Sequence, residues 1–307
     1  MTLLQRFLTI FGDIKIFRWP MFLLYHPVGY GVKGEEVREV IETVRPGDIL
    51  VRGYRDYLDG YFIPGYFSHV GIFVGELTEV DRPALAKATT ALGKGDRTHF
   101  RTGKQMVVHA LAEGVLTEDV INFCRCDYMA VLRFPAVLTR QHGPGASLVP
   151  DASSSPEELA LRDRLERGEA VPFSEVLPCL LAAALGKLGS NYDFSFDFER
   201  FDELSCSELV YFATKAAAPF LGVGPENRRV LGFKRSLIEP DAFVRSPLEL
   251  VWQSTSIDAR KLEALRGPRT AVPPRLPTPA PPASAPTVSE RVGPPTERTA
   301  GGSDGVA

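Results

Sequence analysis

Two hydrophobic periods alternate along the chain, and each change of period marks a new element. From Gly34 to Val44 the apolar residues Val37, Val40, Ile41 and Val44 recur at helical spacing, with Glu35 and Glu36 in the first turn where the helix dipole favours acid. Arg45-Pro46-Gly47-Asp48 stops that helix, and Ile49-Leu50-Val51 predicts a short strand. The loop from Gly53 to Gly65 is dense in Tyr, Phe, Ile and Pro, a composition that either packs onto a domain or walls a site for an apolar substrate. At Ser68 the period becomes two. Val70, Ile72 and Val74 share one face of a strand ending at Gly75, and His69, Gly71, Phe73 and Gly75 share the other. Glycines beside a histidine predict open room above it for another backbone or a ligand.

Glu76 to Lys104 reads as a polar surface excursion with a short helix near Ala84 to Ala91. Three more strands follow, at Gln105–Leu111, after a turn at Gly114–Thr117, and at Tyr128–Phe134. They come in close succession, so antiparallel pairing is expected, with His109 on a strand across from His69. Pro156 to Arg167 predicts a charged helix, and Ser174 to Leu188 a more buried one starting after Pro178. Pro219 to Arg235 reads as loop. Pro240–Val244 and Leu250–Gln253 close the domain as a short helix and strand. The fold class this predicts is α+β, a small antiparallel sheet packed against a helix.

That helix opens at Ser205-Cys206-Ser207-Glu208. Ser205 followed three residues later by Glu208 is a capping box, which places Cys206 in the first helical turn. Unpaired N–H groups and the positive end of the dipole favour a thiolate there, so Cys206 is a candidate nucleophile in need of a base.

Composition narrows the classes. The chain has 307 residues, 44% hydrophobic and 24% charged, with a net charge of -3 and pI near 6.0, which leaves no electrostatic footprint for nucleic acid. Four cysteines are too few for a disulfide framework at this length and fit a reducing, cytoplasmic setting. Cys124 and Cys126 lack a second ligand pair and are read as strand or loop residues, so no metal and no cofactor is expected. Residues 1–33 form an amphipathic segment interrupted by Arg6, Asp13, Lys15 and Arg18, neither a membrane span nor an export signal. It is either a terminal helix packed on the domain or a peripheral membrane contact through residues 1–30. Residues 34–260 make the catalytic domain. The Pro-rich stretch 267–307 cannot bury enough to fold and is expected to be disordered.

Of the five histidines, His26, His99 and His142 lie in segments with no strand pattern. His69 and His109 remain. His69 would take the Cys206 proton, and His109 would bond the far nitrogen of His69 and fix its tautomer. A backbone N–H near Cys206, with the Tyr192 hydroxyl as a weaker candidate, would hold an oxyanion.

At these residues the chain resembles the circularly permuted papain-like hydrolases of the YiiX/YebB kind, cousins of the NlpC-type peptidases and of lecithin:retinol acyltransferase-like proteins. The matching pieces are RPGDIL from Arg45, IPGYFSHVGIFVG from Ile63, VVHALAEGV from Val107, LGSNYDFSFDF from Leu188 and SCSELVYFA from Ser205. The resemblance implies Cys206 as nucleophile and His69 as base, with histidine preceding cysteine as the mark of permutation. His109 falls where members carry a glutamate or another polar residue, and Glu113 is the fallback for that third role. It implies an amidase, peptidase, or lipid acyl hydrolase or transferase working through a thioester on a small-molecule, lipid or peptide substrate. The apolar loop and N-terminus tilt this towards lipid. The competing class is a catalytically idle, membrane-associated binding scaffold.

Overall fold

A computed structural model describes residues 14–18, 21–25, 30–55, 65–82, 99–141, 154–194, 203–230 and 233–267. The first element is a hairpin, β1 (Ile14–Arg18) and β2 (Met21–Tyr25), with Arg18 paired to Met21. This corrects the expected terminal helix. Ile14, Ile16 and Phe17 favour extended backbone, and Pro20 would interrupt a helix at mid-length. After α1 (Gly34–Thr43) come β3 (Ile49–Gly53), β4 (His69–Leu77), β5 (Gly103–Leu111), β6 (Gly114–Asp119), the single turn α2 (Val120–Phe123) and β7 (Tyr128–Arg133).

Short β8 (Val137–Leu138) and β9 (Val171–Pro172) pair on either side of α3 (Pro156–Glu166), whose capping box joins Ser155 and Glu158. Next are α4 (Phe173–Gly186), α5 (Cys206–Ala213), α6 (Ala218–Leu221), a hairpin of β10 (Glu226–Val230) and β11 (Phe233–Leu237), α7 (Pro240–Arg245), β12 (Glu249–Gln253) and α8 (Ala259–Arg266). Residues 219–235 therefore hold a helix and a hairpin where a loop was expected. Helix α4 also starts before Pro178. Its stripe of Val176, Leu180 and Ala184 is fully buried, and that burial outweighs the one N–H that proline forfeits.

The site-bearing layer is a six-stranded antiparallel sheet in the order β12-β7-β3-β4-β5-β6. One face, with Val51, Val70, Ile72, Val108 and Ala110, packs on α4 and α5; the other, with Leu50, Phe73, Val107 and Val131, packs on α1 and α2. The Arg45-to-Asp48 turn is tied to the sheet by Asp48, which accepts from the Arg45 N–H at 2.8 Å and from Arg133 Nε and Nη2 at 2.8 and 2.7 Å. Gly47, at φ 92°, lets that turn approach Leu177 and Phe173 closely. The helix expected near Ala84 to Ala91, most of the apolar loop before β4, His26, His142 and residues 268–307 lie outside the described residues.

Candidate active site

The site is built at the start of β4. Register places Arg52 of β3 directly opposite His69, and Gly71 opposite His109 of β5, so the two histidines are diagonal neighbours on one face. Their rings meet edge to face, with His69 Nε2 2.8 Å from His109 Nδ1. The two histidines are thus bonded to each other, through Nε2 of His69. The room expected above Gly71 is absent, because the Phe123 ring of α2 fills it. A Cβ at Gly71 would come within 2.9 Å of that ring and of a Val107 methyl. Phe123 packs on both imidazoles, at 5.7 and 5.3 Å between ring centres.

The segment entering β4 is anchored from three sides. Asp241 of α7 accepts from the Tyr66 and Phe67 N–H groups at 2.6 and 2.8 Å, Tyr128 donates to the Tyr66 carbonyl at 2.6 Å, and the Asp258 N–H donates to the Tyr66 hydroxyl at 2.8 Å. Fixed backbone here fixes the His69 ring.

Cys206 opens α5, every residue of which is buried. Both arms of the capping box form: the Glu208 N–H donates to Ser205 Oγ at 3.3 Å, and the Ser205 N–H donates to Glu208 Oε2 at 2.7 Å. The sulfur belongs to the core under the α5 face of the sheet, where the backbone N–H of Val70, the residue after His69, acts on it to favour the thiolate. Ser207 Oγ lies 4.0 Å from it. Among the described residues no hydrogen bond joins the thiol to the imidazole, and the two reach the start of β4 from opposite faces. Burial pushes the thiol up; the Val70 and Ser207 donors pull it back only in part. Burial, the Arg52 guanidinium and His109 hold His69 well below the ordinary imidazole value. Both shifts disfavour the charged forms, against the thiolate that the helix terminus alone predicts.

Two residues that sequence reasoning passed over complete the cluster. Arg52 is buried, donates to the Phe123 carbonyl at 2.8 Å, lies 4.3 Å from the Phe123 ring centre and leaves its Nε unpaired. The Glu118 carboxylate of β6 stands 3.3 Å from His109 Nε2, an atom that is enclosed and has no formed hydrogen bond. The fallback Glu113 is exposed on the turn between β5 and β6, and its carbonyl faces His99 Nε2 at 3.1 Å. Glu118 was findable from the hairpin. With a turn at Ala112–Glu113, His109 falls opposite Leu116, and Glu118 is the next side chain along that face.

The segment before Cys206 is stitched to β6. Val115 donates to the Ser190 carbonyl, Gly189 donates to the Val115 carbonyl, and the Leu204 N–H donates to Asn191. Tyr192, half-buried, packs against the core with its ring 4.9 Å from Phe194. Cys124 and Cys126 are buried free thiols, and burial pushes Cys124 up to about 12 and Cys126 further still.

An imidazole pair on an antiparallel sheet is followed in the chain by a thiol at a capped helix start, an order similar to that of permuted papain-like proteins. Residues 43–147 match the model of the permuted papain-like amidases, YaeF/YiiX, C92 family. The match runs from β3 to β8, takes in both histidines and Glu118, and ends ahead of Cys206. No curated protein and no solved structure matches the chain.

Proposed function

We propose that the protein hydrolyses an amide bond through an acyl-Cys206 thioester, with His69 as base and acid and His109 as the group that orients it. The observation that carries this reading is the convergence at the start of β4. The Val70 N–H acts on the Cys206 sulfur, and the adjacent His69 has its Nε2 committed to His109 at 2.8 Å, so Nδ1 is the nitrogen that the proposed proton transfer would use. His69 Nδ1 takes that proton as sulfur bonds to the carbonyl carbon. The oxyanion accepts from the first-turn N–H groups of α5, including that of Cys206. As the C–N bond breaks, the imidazolium returns the proton to the departing amine. Water then attacks the thioester with His69 taking its proton, the C–S bond breaks as the imidazolium protonates the departing sulfur, and the carboxylic acid leaves the free thiol.

An ester or acyl-chain substrate, with transfer in place of hydrolysis, is a second reading. The aromatic, apolar composition of the sequence between Gly53 and Gly65 and of residues 1–30 favours it, as it does contact with a membrane surface. No helix among the described residues is long and apolar enough to cross a membrane.

The test is intact-mass detection of an acyl adduct after mixing with matched chromogenic amides and esters bearing short acyl, long acyl or dipeptidyl groups. An adduct on Cys206, absent in Cys206→Ala and formed about 10²–10⁴-fold more slowly in His69→Ala, is the expected result. Peptidyl preference supports the amidase and long-acyl preference the lipid reading. An adduct that His69→Ala leaves unchanged, or no adduct with any donor, sinks the enzymatic assignment and leaves the binding scaffold.

A further inference from the structure

Glu118 ends a line of side chains that steps diagonally across three strands, from His69 on β4 through His109 on β5 to β6. One proton lies between His69 Nε2 and His109 Nδ1, and either ring can own it. When His69 owns it, His69 Nδ1 is a lone pair, the form a base needs. His109 then carries its own proton on Nε2, facing Glu118. When His109 Nδ1 owns it, the His69 proton sits on Nδ1 and blocks the base, while His109 Nε2 turns a bare lone pair towards a carboxylate. An ionised carboxylate only accepts, so it repels the second arrangement and selects the first.

We infer that Glu118 is a positioning residue that sets the tautomer of both imidazoles through His109 and so holds His69 Nδ1 open for the Cys206 proton. The inference rests on the assignment of Cys206 and His69 as thiol and base. His109 has 0% side-chain exposure, so solvent cannot substitute for the carboxylate, whereas Glu118 at 18% stays ionised. Burial acts to raise the Glu118 carboxyl, but His109, Arg52 and Arg101 outweigh it and hold it below the ordinary value. The charged and titratable groups facing the two rings are Arg52 of β3, Arg101 from the segment before β5, and Glu118. Neighbouring Asp119 is otherwise engaged, accepting from the Ile121 N–H at the start of α2. When the thiol proton arrives at His69 Nδ1, the other two protons stay where they are. Glu118 then stabilises the imidazolium across His109, with no second transfer.

The experiment compares wild type, Glu118→Gln, Glu118→Ala and His69→Ala in the full-length protein, each checked for a native-like unfolding transition. One measurement is the pH profile of Cys206 acetylation by p-nitrophenyl acetate; the other is the tautomer of each histidine from nitrogen NMR of isotope-labelled protein. Glu118→Gln keeps an acceptor and removes the charge, so the rate falls about tenfold and the acid limb of the profile moves to lower pH. Glu118→Ala releases the tautomer: the rate falls about a hundredfold, and the His109 proton moves from Nε2 to Nδ1. Unchanged tautomers, with Glu118→Ala acetylating within twofold of wild type while His69→Ala is slow, would overturn the role of Glu118 alone. If His69→Ala is as fast as wild type, the base assignment fails, and the NMR tautomers still decide what Glu118 does. Should both variants be unaffected and the tautomers not move, both ideas fall.

Discussion

At Cys206 two effects of opposite sign meet. The helix start brings N–H groups to the sulfur and favours negative charge, while burial at 4% exposure removes the water a thiolate needs. Desolvation is the larger, and the thiol is held above its ordinary value. His69 is pushed the other way, and Arg52, a cation directly across the strand pair, makes a second positive charge there costly. The two shifts agree in disfavouring the charged forms, thiolate and imidazolium alike. Iodoacetamide labelling read cysteine by cysteine checks this. Cys206 is expected to titrate above the ~8.5 of a free thiol, with half-buried Cys179 labelled ahead of it and Cys124 and Cys126 silent in the native state. A Cys206 midpoint below that value would restore the thiolate–imidazolium pair.

Strand β4 shows what an element adds to its residues. Its alternation put His69 and Gly71 on one face, and the structure agrees. What stands above that face was not readable, because Phe123 arrives from a single helical turn with too few apolar positions to show a period. Gly71 is therefore a packing residue: its hydrogen is what lets the Phe123 ring lie against both imidazoles. Gly71→Ala is expected to lower stability by about 1–3 kcal/mol in urea unfolding, since ring, Val107 methyl and His109 Cβ all crowd the added carbon. An unchanged midpoint would mean that the ring moves freely and does not fix the histidines. Other gaps share this cause. The histidines, the Cys206 capping box and the antiparallel order were legible because each follows from spacing within one element or from succession. Glu118 and Arg52 matter through register between strands, whereas the fallback Glu113 falls on the exposed turn between β5 and β6. Pro178 misled as a local rule, overruled by the buried stripe of α4.

Across the whole molecule the site is a set of buried groups whose charge states couple to folding. Burial is the first cause lowering both His69 and His109 from the ordinary 6.5; Arg52 adds to it at both, and Glu118 opposes it only at His109. In the unfolded chain both rings titrate near that ordinary value. Below it the unfolded state binds protons that the folded state refuses, so stability is present above pH 6.5 and is lost as pH falls. Each histidine contributes a slope of up to about 1.4 kcal/mol per pH unit across the window between its unfolded and folded values. Asp48 and Asp241, raised by burial against the pull of Arg133 and of the Tyr66 and Phe67 N–H groups respectively, act with the opposite sign, from the ordinary carboxylate value upwards. Urea unfolding from about pH 7.5 to pH 5.5, read as the difference between wild type and a histidine variant, isolates the imidazole contribution. Wild type is expected to lose stability steadily over that range, and His69→Gln, which removes one titrating ring, to lose it more gently. A flat profile would mean that the folded protein takes up the protons without cost. Arg52 would then not be the barrier to an imidazolium that its place opposite His69 makes it, and the case against the charged forms would lose its electrostatic basis.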